Sequence, residues 1–233
     1  MVYLDTLLCS SDIREVLEYK DELFELVLGG GRVIPDTMCA PEDGCMTNFH
    51  MGMNLMTACR ERYIRECGFV FLSWDWINPF VEWINGRKCL EIMCGTGALS
   101  WSLQSKGVDI IPTDNFSWKN MLENSWTTIE ELDALSAIDT YGKDVDIVVV
   151  SWIPLGSDLG YESLKRLYEV NPNAIMVVIG EGEAGCTSNE KFFDSLEVVE
   201  DTFFEDNVEG NYKTWWGLHD YPMIVRYKNE GGN

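Results

Sequence analysis

From residue 87 onward, short apolar segments alternate with segments of helical spacing, and this alternation restricts the fold more than any other feature. The segments with strand character are 88–93, 108–113, 127–131, 146–151, 173–181, 197–204 and 221–228. Helices are predicted between them over 98–105, 117–126, 134–141, 159–169 and 188–196, the last capped by Ser188. Strands joined by helices pair in parallel and carry helices on both faces of the sheet. The sequence therefore predicts an α/β fold with a doubly wound sheet.

The first part of the chain has a different pattern and is predicted to form a helical lobe over 1–86. Helical spacing of apolar residues at 12–28 and again at 54–67 predicts two helices. An aromatic-rich stretch at 72–83 is expected to pack this lobe against the sheet domain, which is assigned to 87–233. We expect the lobe to cover the cleft of that domain.

The chain is strongly acidic, with 39 Asp and Glu against 17 Lys and Arg and a formal net charge of −22. Proteins that grip a nucleic-acid backbone need a basic surface, and anionic membrane surfaces attract basic segments. Net charge therefore disfavours bulk nucleic acid and membranes as partners and leaves small molecules or basic proteins. It does not fix the local field, so a local basic groove stays open.

Cysteine usage and hydropathy suggest a reducing compartment. The chain has eight cysteines but no Cys-x-x-Cys pair, which favours reduced and mostly buried thiols. Cys39, Cys45 and His50 are spaced more widely than ligands of a typical zinc site, so no metal is predicted. No targeting segment or apolar run of bilayer length is recognised, and we expect a cytoplasmic protein. The oligomeric state is not set by the sequence.

The segment 90–97, Leu-Glu-Ile-Met-Cys-Gly-Thr-Gly, follows a buried strand and precedes a predicted helix. Glycines in such a turn let a ligand approach the backbone, and the helix N-terminus then faces that ligand. Dinucleotides and S-adenosylmethionine are both bound in this way. The dinucleotide fingerprint has Gly or Ala three residues after its second glycine, where this chain has Ser100, so the spacing favours S-adenosylmethionine. Glu91 is expected to face an amino group or a bound water.

Asp114 ends the next predicted strand. A carboxylate at this position can accept hydrogen bonds from both ribose hydroxyls of a nucleoside cofactor. The alternative is a plain turn or N-cap residue.

These residues resemble the motif of class I S-adenosylmethionine-dependent methyltransferases, and smaller features such as Gly180-Glu181 resemble uncharacterised members of phage and bacterial type. The residues that match the motif are Glu91, Gly95, Gly97 and Asp114. Met93 stands where the family usually has glycine. The resemblance implies a Rossmann-like sheet of seven strands with the last strand antiparallel, and it implies S-adenosylmethionine as cofactor. The candidate cofactor-binding residues on this basis are Glu91, Met93, Gly95, Gly97, Asp114, Asn115, Asp133, Ala134 and Ser151.

Asp133 and Ala134 resemble the acidic and small pair that contacts adenine in this family. The competing interpretation is a helix start, in which Thr128 and Glu131 form a capping box.

The candidate catalytic residues are Trp152, Glu181, His219 and Asp220. The segment 151–154, Ser-Trp-Ile-Pro, resembles the loop that amino-methylating members place beside the methyl group, but it lacks their Asn or Asp. Trp152 either faces the sulfonium or a flat substrate, or packs as a lid. The other three residues are candidates to accept the proton that a neutral nucleophile loses.

Arg60, Arg62 and Arg65 form the one basic cluster that the sequence shows. Arg62 and Arg65 are expected to pair with Glu61 and Glu66 on a solvated helix face, and contact of the cluster with a substrate carboxylate or phosphate is the alternative.

Two further function classes stay open. A catalytically inactive binding or regulatory protein on a methyltransferase scaffold, with its acidic surface facing a basic partner, is consistent with Met93 and with the incomplete motif after the fourth strand. The second class is a nicotinamide-dependent oxidoreductase, and Ser100 disfavours it because the dinucleotide fingerprint has Gly or Ala at that position.

Overall fold

The computed structural model describes residues 60, 63–118, 125–215 and 217–228, and these form one α/β unit. The strands are β1 (Cys89–Ile92), β2 (Ile110–Asp114), β3 (Glu130–Glu131), β4 (Ile147–Ser151), β5 (Ile175–Gly180), β6 (Leu196–Val198) and β7 (Tyr221–Tyr227). The helices are α1 (Trp74–Ile84), α2 (Ala98–Ser105), α3 (Ala134–Tyr141), α4 (Leu159–Val170), α5 (Glu190–Ser195) and a π-helical segment, Phe204–Glu209.

The seven strands form one sheet in the order β3-β2-β1-β4-β5-β7-β6. Strands β1 to β5 pair with one another in parallel, whereas β7 runs antiparallel to both β5 and β6. This order confirms the predicted doubly wound sheet with an antiparallel last strand. The chain winds outward from β1 in one direction and from β4 in the other, so the two strands flank the point where the strand order reverses.

The central strands form because most of their residues are β-branched or otherwise apolar, with Glu91 in β1 and Ser151 in β4 as the polar exceptions. Strands β1, β4 and β5 are buried on both faces, as a parallel sheet covered by helices requires. Helices α1 and α2 and the π-helical segment cover one face, and α3, α4 and α5 cover the other. The sheet therefore lies between two apolar cores and holds the ends of its strands in fixed positions.

The described end of the predicted lobe packs on the first of these cores. Residues 63–66 are helical and Gly68 follows with φ of 114°, in agreement with the predicted helix end. The Trp83 ring contacts the Phe204 ring at 4.9 Å, and its indole N–H donates to Asp201 at 2.9 Å. The aromatic stretch thus packs against the sheet domain as predicted. The predicted helix 12–28 and the domain boundary at residue 86 stay predictions, since most of 1–86 lies outside the described residues.

Three sequence-based assignments differ from the structure. The strand predicted over 197–204 is confined to β6, and its end becomes the π-helical segment. The described residues flanking 119–124 are not helical, although a helix was expected over 117–126. Asn189, not Ser188, caps α5: the Asn189 side chain accepts from the Phe192 amide at 3.1 Å. Ser188 has φ of 57°, which is incompatible with the extended backbone of an N-cap residue.

Within the described residues, no helix has the length and apolar character needed to cross a bilayer.

Candidate cofactor and acceptor site

The sequence-predicted site residues gather at one edge of the sheet. The carboxyl ends of β1, β2, β4 and β5 meet there, and ligands of doubly wound sheets bind at this edge near the point of strand-order reversal. Because β7 is antiparallel and pairs Tyr221 with Gly180, the residues just before it reach the same edge. The turns at this edge carry Met93, Gly95, Gly97, Asp114, Asn115, Ser151, Trp152, Glu181, His219 and Asp220.

Backbone strain is concentrated at this edge. Among the described residues, five non-glycine residues have positive φ, and only Asn85 lies away from the turns that follow the parallel strands. The other four are Met93 at 54°, Phe116 at 53°, Trp152 at 52° and Ser188 at 57°. Residues with side chains rarely adopt this conformation, and such strain clusters at functional sites. The turns at this edge are therefore held in shapes that the rest of the fold enforces.

The turn after β1 keeps a left-handed backbone at every second residue. Met93, Gly95 and Gly97 have φ of 54°, 57° and 71°. The methionine at position 93 thus adopts a conformation that glycine adopts without strain. Gly97 begins α2 as its N-cap residue, and its amide donates to the Cys94 carbonyl at 2.9 Å.

Asp114 ties this turn to the end of β2. Its Oδ2 accepts from the Gly95 amide at 2.9 Å, and its Oδ1 accepts from the Phe116 amide at 2.7 Å. Asp114 therefore stabilises a turn, as the alternative interpretation of the sequence predicted. The carboxylate is nevertheless partly exposed, and a carboxylate offers about four acceptor sites, so both oxygens can still accept from a ligand. Neighbouring Asn115 is exposed and accepts from the Ser117 amide at 3.0 Å.

Glu91 is buried and has a partner within the protein. Its Oε2 accepts from the amide and the hydroxyl of Ser100 in the first turn of α2. Burial raises the pKa of Glu91 to about 7; Ser100 opposes this shift, and the Asp114 carboxylate adds to it. The spacing of Glu91 and Ser100 in the sequence does not predict this contact. The signal that joins them is a charged residue in an otherwise apolar strand, because a buried carboxylate needs a donor.

Asp133 is the N-cap of α3. Its Oδ1 accepts from the Leu135 amide at 3.1 Å and the Ser136 amide at 3.0 Å. Donation from Ser136 lowers the pKa of Asp133. The predicted capping box of Thr128 and Glu131 is wrong, because Glu131 belongs to β3 and the helix begins after Asp133. Ala134 is buried at the start of the helix. A contact of this pair with adenine stays a prediction.

Trp152 follows β4 and packs against aromatic and cationic side chains. Its ring stacks on Phe69 with centroids 5.4 Å apart and 25° between the planes. The Arg60 guanidinium carbon lies 5.3 Å from the Trp152 ring centroid. Among the described residues, the hydroxyl of Ser151 and the indole N–H of Trp152 are buried without a partner at hydrogen-bond distance, although the indole opposes the rise in the pKa of Asp220. The end of β4 thus places a buried hydroxyl without a described partner beside an aromatic surface.

The structure separates the three candidate proton acceptors. Glu181 accepts from the amides of His219 at 3.0 Å and Cys186 at 2.6 Å, and these outweigh the effect of burial and hold its pKa below the usual value. The side chain of His219 is exposed. Asp220 is buried and accepts from the hydroxyls of Tyr212 and Thr214, and burial raises its pKa. Of the two carboxylates, Asp220 is therefore the one whose pKa is raised.

The end of the N-terminal segment is anchored on the glycine turn, a contact that the sequence analysis missed. The Thr96 hydroxyl donates to the Cys67 carbonyl at 2.6 Å, and the Trp126 indole donates to the Glu66 carbonyl at 2.6 Å. The Trp126 amide in turn donates to the Thr96 carbonyl at 2.8 Å. Residues 66–69 therefore lie directly beside the turn after β1.

Comparison with known proteins finds no sequence relative. No protein-family model matches the chain, and no curated protein matches it either.

Solved structures of low identity share parts of the fold. A methyltransferase from Streptomyces caelestis, CcbJ, is 12% identical with a TM-score of 0.44, covering 66% of this chain and 90% of its own. The magnesium protoporphyrin IX methyltransferase ChlM from Synechocystis, solved with bound S-adenosylmethionine, is 14% identical with a TM-score of 0.40, covering 64% and 77%. An S-adenosylmethionine-dependent methyltransferase from Archaeoglobus fulgidus is 13% identical with a TM-score of 0.39, covering 76% and 99%. These TM-scores are low, and the likeness carries no inference about the function of this chain.

The space around Gly97 gives a test of the turn. A methyl group on Gly97 would meet Thr127 Cγ2 at 3.0 Å and Ile129 Cδ1 at 3.1 Å, whereas Gly107, with φ of 86°, has open space around it. Gly107→Ala should lower the free energy of unfolding by about 1 kcal/mol through backbone strain alone. Gly97→Ala should lose at least about 1 kcal/mol more through overpacking. Urea denaturation followed by tryptophan fluorescence measures both variants, and equal losses would contradict the described packing.

The raised pKa of Glu91 predicts a specific pH dependence of stability. The folded protein keeps this carboxyl protonated at pH values where the unfolded chain ionises it, so its contribution is complete below the unfolded pKa and is lost as the pH rises toward 7. Between about pH 5 and about pH 8 this group should lower the wild-type free energy of unfolding by up to about 3 kcal/mol.

Glu91→Gln keeps an oxygen that accepts from Ser100 and removes the titration. Denaturation of wild type and variant across this pH range should therefore give curves that converge or cross as the pH rises. A constant difference between the two curves would show that Glu91 is ionised throughout.

Proposed function

We propose that the chain is an S-adenosylmethionine-dependent methyltransferase that acts on a small molecule or a protein rather than on bulk nucleic acid. The observation that carries this proposal is the left-handed turn 93–97 hydrogen-bonded to Asp114 at the point of strand-order reversal. The turn leaves the backbone accessible at the start of α2, and the carboxylate retains acceptor sites for two hydroxyls. These are the two features that a nucleoside cofactor with a charged tail needs at this edge.

The residues at this edge fit S-adenosylmethionine chemically. Asp114 would accept from the ribose hydroxyls, Asp133 and Ala134 would border the adenine, and the N-terminus of α2 would face the carboxylate of the methionine portion. The unpartnered Ser151 hydroxyl offers a further donor or acceptor at the end of the neighbouring strand. When bound, the cofactor supplies an activated methyl group, and the chain contributes position and electrostatics.

The chain's own part in methyl transfer is to orient the acceptor and to take up its proton. Trp152 borders the site with its aromatic face, and Asp220 lies buried at the start of β7 beside the end of β5. Because burial raises the pKa of Asp220, its carboxylate binds a proton more strongly than an exposed aspartate does. We assign Asp220 as the proton acceptor, with Glu181 positioning the loop around it through the amides of His219 and Cys186.

Isothermal titration calorimetry with S-adenosylmethionine tests the cofactor site through Asp114. Replacement of Asp114 by Ala removes two charge-assisted hydrogen bonds to the ribose, so the dissociation constant should rise about 100-fold. Asp109→Ala is the matched control, because Asp109 is exposed just before the other end of β2 and should leave the affinity unchanged.

Unchanged affinity in Asp114→Ala would contradict the placement of the cofactor, and no binding by the wild type would remove the proposed function. Release of S-adenosylhomocysteine in the presence of acceptors separates an active enzyme from a protein that binds the cofactor without turnover.

A further inference from the structure

A half-buried guanidinium lies against two aromatic rings at the acceptor side of the proposed site. The Arg60 guanidinium carbon lies 5.3 Å from the Trp152 ring centroid and 5.9 Å from the Phe69 ring centroid, and the two rings stack on each other. Arg60 belongs to the basic cluster seen in the sequence, and the structure packs its side chain on the aromatic pair.

Arg60 lacks a charged partner among the described residues. No ion pair joins it to a described carboxylate, and its Nε is buried without a hydrogen-bond acceptor in the part of the chain that the structure describes. The acids of this edge are engaged elsewhere: Glu181 accepts from two amides, and Asp220 accepts from two hydroxyls. An arginine without a described carboxylate partner is notable in a chain with a net charge of −22, and buried donors normally have acceptors.

The surface around this guanidinium is apolar and partly exposed. Trp118 is 56% exposed and packs edge-on against Phe69 at 5.5 Å. A cation surrounded by flat apolar groups suits a ligand that is itself flat and negatively charged.

The position of this group relative to the cofactor turn is set by the backbone. Trp152 directly follows β4, the strand beside β1, and Phe69 lies two residues after Cys67, whose carbonyl accepts from Thr96 in the glycine turn. The aromatic pair and the turn therefore lie side by side at the edge.

We propose that Arg60, Phe69 and Trp152 form the acceptor subsite, and that the acceptor is a planar aromatic molecule bearing a carboxylate. This inference rests on the proposed function. The guanidinium supplies paired donors that match a carboxylate, and the aromatic pair supplies a stacking surface for the ring. One arginine in an acidic chain recognises a single small anion and not a polyanionic backbone.

The test compares binding of 2-naphthoate with that of its neutral amide, 2-naphthamide, by NMR titration in the presence of S-adenosylhomocysteine. The wild type should bind the acid at least about tenfold more tightly than the amide. Arg60→Gln should remove this preference by weakening the acid alone, whereas Phe69→Leu should weaken both ligands. Arg226→Gln is the matched control, because Arg226 is exposed toward the opposite end of β7 and should keep the preference.

The proposal is overturned if naphthoate does not bind, if the wild type binds acid and amide equally, or if Arg60→Gln keeps the preference. If a variant does not fold, the comparison of acid and amide binding by the wild type is sufficient to test the proposal. Calorimetry with S-adenosylmethionine on the same wild-type sample reports on the proposed function separately. A preference for the acid without cofactor binding would contradict the methyltransferase assignment and retain the anion subsite. Cofactor binding without a preference for the acid would contradict only the subsite.

Discussion

The hydrogen bond from the Gly95 amide to Asp114 is the interaction on which the candidate site depends. It joins the turn after β1 to the end of β2, and so couples two loops that the sheet brings together only at their bases. The same carboxylate also holds the Phe116 amide and thereby shapes the next turn. A residue expected to bind a ribose therefore also builds the surface on which that ribose would lie.

The strained edge is possible because the rest of the sheet is strongly stabilised. The central strands are covered on both faces by separate apolar cores, which fix the strand ends in space. Left-handed backbone at Met93 or Trp152 is unfavourable by about 1 to 2 kcal/mol per residue, a small amount against the burial of three complete strands.

Periodic and local signals predicted much of the fold. The helices 98–105 and 134–141 have the predicted bounds, and the alternation of strands and helices gave the doubly wound sheet because burial on two faces demands continuous apolar strands. Contacts between distant segments were not predictable in this way. The partners of Glu91 and Arg60 depend on tertiary geometry, which residue spacing does not encode. The cap of α5 is Asn189 and not Ser188 because of a single backbone angle at Ser188.

Hydrogen exchange measured with and without S-adenosylhomocysteine tests the central claim most directly. Bound ligand should slow exchange of the backbone amides in the turn 93–97 and around Asp114. The ligand would cover the turn and would also bind the Asp114 carboxylate that accepts from the Gly95 amide. Residues of α4 and the outer half of β7 should exchange at the same rate in both samples. Protection confined to those distant elements, or no protection at the turn at saturating ligand, would contradict a cofactor site at this edge of the sheet.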